Sequence, residues 1–172
     1  MADAGEDASG PGRSAAAWRR TYEALGHLGG LILAVMAGAV FLQVVLRFAG
    51  QTGIDGLEEV PRYLFVWLVM LGAAAAMYRG EHTVLDYFID KLSARGRALV
   101  VALTNAVGIG LFLYLIKLSF VLVPNAQLQT SPGLELPLGY VFAAIPIGSA
   151  LIVLPMLRNL YAAVRSLWPR RS

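Results

Sequence analysis

The chain has 172 residues, of which 58% are hydrophobic and 15% charged, and it contains no cysteine. So apolar a composition predicts one compact membrane domain rather than a water-soluble one, and the missing thiols exclude disulfide exchange, thiolate metal sites and cysteine nucleophiles. The formal net charge is only +3, and the basic residues flank apolar runs, so they are read as orienting the chain in a bilayer and not as a nucleic-acid surface.

Residues 1–17 are small, polar and broken by Gly and Pro, the composition of a disordered tail. A four-helix membrane domain is expected over 18–165. Its first span, 25–46, corresponds to about 33 Å of helix, enough to cross the hydrocarbon core. Ala37-Gly38-Ala39 has the form of a signal-peptidase site, but the apolar run is too long for a leader and continues past it, so no cleavage is expected. Gly26, Gly30, Ala34 and Gly38 recur every four residues. They form a smooth stripe on which a second backbone can pack closely.

The second span is expected over 60–78. Pro61 falls in its first turn, where a missing N–H costs little, and Glu58 and Glu59 sit at the positive end of its dipole. Glu58 and Arg62 share a face. Trp67 and the run Gly72-Ala73-Ala74-Ala75-Ala76 follow, small side chains suited to packing on protein. The span closes on Arg79.

Beyond it, Thr83 and Asp86 suggest a weak capping box. Leu85, Phe88, Ile89 and Leu92 repeat at helical spacing opposite Asp86, Asp90 and Lys91. A short amphipathic helix over about 83–95 is therefore expected, lying in the interface or against a neighbouring subunit. The third span, 98–123, repeats the small stripe with Ala98, Ala102, Ala106 and Gly110, and carries Asn105 within it and Lys117 near its far end. The proline-rich segment 124–137 reads as a loop. The fourth span, 138–157, contains Pro146 and Pro155, expected to kink it or free backbone hydrogen bonds. A basic tail follows over 166–172.

Lys and Arg set the orientation. Arg13, Arg19 and Arg20 precede the first span; Arg79, Lys91, Arg95 and Arg97 lie between the second and third; Arg158, Arg165, Arg170 and Arg171 follow the fourth. Arg47 stands alone between the first and second spans, and none lies between the third and fourth. Both termini and the middle connector are expected in the cytoplasm.

Candidate chemistry is sparse. His27 and His82 are the only histidines and fall at span ends, a poor basis for a bis-His haem. No HExxH pattern, nucleophile elbow or phosphate-binding glycine loop occurs. No acid lies mid-span, which argues against a proton relay. Arg47, Glu58, Glu59, Arg62 and Lys117 all fall at one membrane edge, where an ion-pair belt is expected. No catalytic, cofactor or metal-binding residue is assigned.

One block suggests a family. Gln43 and Arg47; Glu58, Glu59, Arg62, Tyr63, Phe65 and Trp67; Leu71 to Ala74; then Arg79, Gly80, His82 and Asp86 together resemble the small membrane subunit of tripartite ATP-independent periplasmic (TRAP) transporters, the DctQ-like Q subunit. The resemblance covers roughly residues 25–160. It implies an all-α, non-enzymatic scaffold subunit in a bacterial inner membrane, without cofactor. Its implied partners are membrane lipid, a large membrane subunit holding the substrate and sodium sites, and a periplasmic binding protein that delivers a small carboxylate-bearing solute. Arg47, Glu58, Glu59, Arg62, Trp67, Gly72, Arg79, His82, Asp86 and Lys117 are the candidate structural or interface residues. The alternatives are a stand-alone four-helix redox or haem subunit, disfavoured by the missing Cys and edge-placed His, and a self-sufficient homo-oligomeric transporter. Against the latter, the spans show no buried acid and no broken helix pair.

Overall fold

The computed structural model of the protein describes residues 11–50, 56–79 and 93–167. Four long apolar helices dominate: α1 (Pro11–Phe48), α2 (Glu59–Arg79), α3 (Ala94–Gln127) and α5 (Ala144–Leu167), with a single-turn helix α4 (Gly139–Phe142) leading into α5. Each of the four, counting α4 with α5, is long and apolar enough to cross a membrane. The expected amphipathic segment lies almost wholly outside the described residues, as do His82 and Asp86; its last two positions, 94–95, form the start of α3.

The helices run past their expected ends, for local reasons. α1 starts at Pro11, inside the stretch expected to be a tail, because proline is suited to a first helical position and the alanines before Trp18 favour helix. Ser93 caps α3, its Oγ accepting a hydrogen bond from Gly96 N at 3.3 Å. That helix continues through Pro124 to Gln127, four residues into the expected loop. Proline's fixed φ suits a helix, and only one backbone bond, to the Phe120 carbonyl, is lost. α5 likewise extends beyond Leu157 to Leu167. At the other end of α1, Gly50 takes φ +74° and Gly56, before α2, takes φ +87°, the left-handed conformations that glycine adopts without penalty.

The four helices make an open layer, in the order α1, α2, α5, α3. α1 packs on α2, α2 on α5, and α5 on α3; among the described residues α3 has no backbone approach to α1 or α2. Close packing occurs where a small residue meets a methionine. A Cβ on Gly148 of α5 would lie 2.5 Å from Met70 Cβ of α2, and one on Gly108 of α3 would fall onto the end of the Met156 side chain of α5. The core is small: Tyr22, Ala74, Met77, Ile152 and Met156 form its buried centre, with Leu25, Met70, Tyr78, Ile109, Phe112 and Leu151 around it.

The central helices carry most of the burial. α1 and α3 are apolar on all sides and mostly exposed within the chain, with Leu31, Phe41, Leu103 and Val107 among the open side chains. A helix that is hydrophobic all round requires a hydrophobic surrounding, so lipid or another membrane protein must cover these faces.

Candidate functional site

Glu59 organises one end of the layer. The turn at Gly56 starts α2, with Glu59 N donating to Gly56 O at 3.0 Å. The Glu59 carboxylate then accepts hydrogen bonds from the backbone N–H groups of Gly133 (3.1 Å) and Leu134 (3.2 Å), with the Ser131 and Tyr63 hydroxyls close by. The loop receives it because it is folded on itself. Ser131 N donates to Leu136 O, Leu138 N donates to Gln129 O, each at 2.9 Å, and Glu135 adopts φ 52°. Gly56 is required here on two counts, since its φ is positive and a Cβ would lie 2.8 Å from Gly133 C. A carboxylate on adjacent N–H groups is a strong, charge-assisted contact; it ties the α1–α2 connection to the α3–α4 connection.

Among the described residues the expected ion-pair belt does not form within this chain. No ion pair joins Arg47, Glu58, Glu59, Arg62 and Lys117 to one another; among the described residues the ion pair seen is Arg19 with Glu23, at 3.5 Å on the exposed face of α1. Arg47, Glu58, Arg62 and Lys117 are exposed. The reason is geometric. The open layer keeps Lys117 of α3 apart from α1 and α2, and the partner that does reach Glu59 is a loop backbone.

The opposite end is aromatic and basic. Tyr22 of α1 stacks on Tyr78 of α2, with ring centroids 4.5 Å apart and planes at 15°, and Trp18 packs at 5.2 Å from Tyr22. The Tyr22 hydroxyl donates across the layer to Leu151 O of α5 at 2.8 Å. That carbonyl would ordinarily accept from the residue four positions on, which is Pro155 and has no N–H. Tyr22 therefore supplies the donor that Pro155 withholds, in a position 2% exposed. The kink-or-fray expectation for Pro155 resolves into a cross-helix hydrogen bond. Sequence reasoning passed over Tyr22; the signal was Pro155, whose freed carbonyl in an apolar helix needs a donor.

Two crevices flank the last turns of α5 at this end. One, of 480 Å³, is lined by Tyr78, Pro155, Arg158, Asn159 and Ala162; the other, of 460 Å³, lies on the α3 side and shares Asn159 and Ala162 with Arg97 and Ser166.

The remaining candidates are dispersed. Trp67 is half-buried and Gly72 has open space where a Cβ would point. The Arg79 guanidinium lies over Gly26, where a Cβ would come within 2.8 Å of it. His27 is exposed on α1. The small stripes prove to be mostly outward-facing: nothing lies within 4 Å of a Cβ built on Gly30, Gly38 or Gly110, and Ala34 and Ala106 are exposed. Apart from Gly26 under Arg79, the tight contacts between long helices use Gly148 and Gly108 instead. Among the described residues no three His, Asp or Glu side chains group as a metal site.

Four apolar helices in an open layer, with polar groups holding loops and a proline-freed carbonyl, define a multi-pass membrane subunit built for packing. Residues 36–166 match the family described as tripartite ATP-independent periplasmic transporters, DctQ component. Relatives agree. A Haemophilus influenzae protein, named as a candidate TRAP transporter small permease, is 31% identical over 77% of this chain and 83% of its own length. The Rhodobacter capsulatus "C4-dicarboxylate TRAP transporter small permease protein DctQ" is 35% identical over 63% of this chain and 49% of its own. An uncharacterized Sinorhizobium fredii protein is 28% identical over 70% of this chain but only 22% of its own length. The chain belongs to the DctQ family: it is a small-permease-type component of a TRAP transporter and a multi-pass bacterial membrane protein.

Proposed function

We propose that the protein is a non-catalytic scaffold in the bacterial inner membrane, holding a large membrane subunit in place while that subunit moves a small carboxylate-bearing solute, delivered by a periplasmic binding protein and coupled to sodium. The observation that carries the reading is the open layer: α1 and α3 leave long apolar faces and the Gly30–Ala34–Gly38 stripe uncovered, and a stripe of that kind admits a second backbone more closely than lipid requires. The family supports the partner class, and the dicarboxylate in the Rhodobacter relative's name supports the solute class.

In this reading the basic end, with Arg19, Arg20, Arg79, Arg97, Arg158 and Arg165, faces the cytoplasm, and the Glu59 loop faces the periplasm. Arg47, Glu58, Arg62 and Lys117, unpaired with one another, sit at the periplasmic edge, where the large subunit or headgroups supply their counter-charges. Two experiments test this. Tagged protein should copurify with a large permease subunit and bind no solute alone; saturable, stoichiometric solute binding to the isolated chain would refute the scaffold role. Cysteine placed at Gly133 should be labelled from outside intact cells and cysteine at Arg97 should not; the reverse would overturn the orientation.

A further inference from the structure

We propose that the crevice between α2 and α5 at the basic end is a binding site for an anionic phospholipid headgroup, with Arg158 and Asn159 as its donors to the phosphate. The crevice has the right polarity. Arg158 ends the apolar run of α5 and is exposed, Asn159 is half-buried beside it, and among the described residues no carboxylate lines the space. Among the described residues Arg158 has no ion pair, and Glu23, the described acid at this end, is taken by Arg19. An arginine at headgroup depth with no acid beside it among the described residues attracts phosphate, which it can grip with two parallel N–H groups.

The crevice also has the right shape. Pro155 and Ala162, with Arg158 and Asn159 between them, place a ring and a methyl where longer side chains would close the gap, and the Tyr78 ring forms the opposite wall. Toward the middle of the membrane the same stretch of α5 presents Leu154 and Leu157 as exposed apolar surface, with Tyr161 exposed on the other side of Arg158. A headgroup seated on Arg158 therefore has apolar helix below it on which its acyl chains lie. That continuity favours a lipid over a soluble anion, for which an apolar continuation is no use. Basic pockets between spans are the usual form of such sites. The inference does not depend on the scaffold reading, since it concerns only this chain and its bilayer.

The test is native mass spectrometry of the full-length chain released from bilayers containing equal amounts of phosphatidylglycerol and phosphatidylcholine. Wild type should retain phosphatidylglycerol selectively. Arg158→Gln should lower that selectivity by about fivefold, the factor corresponding to about 1 kcal/mol for one arginine near an anionic surface. Arg165→Gln, which removes the same charge outside the crevice, should leave selectivity unchanged. Arg158→Lys should keep part of it, and Asn159→Ala should lower it without altering net charge, which guards against misfolding of the arginine variant. Equal losses in Arg158→Gln and Arg165→Gln would reduce the effect to bulk charge and overturn the site. Displacement of the lipid by millimolar inorganic phosphate would make it a soluble-anion site instead. No selectivity in the wild type would also overturn the proposal and leave Arg158 to a carboxylate of a protein partner.

Discussion

Removing the Tyr22 hydroxyl isolates one hydrogen bond whose necessity is set by a proline on another helix. Tyr22→Phe keeps the ring stacked on Tyr78 and deletes only the donor to Leu151 O. Hydrogen bonds between membrane helices average about 0.6 kcal/mol and reach about 1.7 kcal/mol. This one belongs near the top of that range, about 1.5 kcal/mol, because Pro155 leaves its acceptor without a helical donor and an orphaned buried carbonyl is costly. Pro155→Ala restores an N–H four residues after Leu151 and gives the carbonyl its ordinary partner. In that background Tyr22→Phe should cost only about 0.5 kcal/mol, a coupling of about 1 kcal/mol between residues on separate helices. The assay is reversible unfolding in mixed micelles for the wild type, both single variants and the double variant. Equal costs of Tyr22→Phe in the wild-type and Pro155→Ala backgrounds would refute the reasoning, as would a wild-type cost under about 0.3 kcal/mol.

Three further outcomes follow from the same geometry. Glu59→Gln should speed amide hydrogen exchange at Gly133 and Leu134 several-fold while leaving the α5 core amides unchanged, because Gln offers one acceptor oxygen where the carboxylate offers two; unchanged exchange would mean the loop holds itself. Gly148→Ala should destabilise by about 1–3 kcal/mol through overpacking on the α2 backbone, and by more than Gly108→Ala, whose new methyl meets only the flexible end of Met156; the opposite order in the same micelle titration would refute the close α2–α5 approach. Gly30→Ala and Gly38→Ala should leave the isolated chain as stable or up to about 1 kcal/mol more stable, since helix propensity improves and nothing is met. If the stripe docks a partner, these two variants should still lower its yield in copurification.

The sequence made the spans legible because length and hydropathy over some twenty residues overwhelm local detail. It did not show which faces meet. Gly26–Gly38 and Ala98–Gly110 carry the same four-residue spacing whether they contact this chain or another, and here the close contacts fall to Gly148 and Gly108, whose methionine partners follow no spacing rule. Glu58 and Glu59 were likewise indistinguishable by charge and position. The turn at Gly56 aims Glu59 at the loop and leaves Glu58 exposed, a distinction that exists only once two connections distant in sequence come together. Tyr22 was hidden for the same reason, its acceptor lying 129 positions away.

The order of the layer has a consequence for biogenesis. The backbone of α3 approaches only α4 and α5 among the described elements, and both are made after it. During synthesis α1 and α2 can pair as soon as the second has entered the bilayer, whereas α3 must wait there with no helix of its own to lean on until the last span emerges. α5 then inserts between the finished hairpin and the waiting helix, accepts Tyr22 at Leu151 and closes on Met70 and Gly108. A chain cut short before residue 139 would keep its α1–α2 pair and lose the helices on which the α3 backbone packs, so the layer closes only with the helix synthesised last.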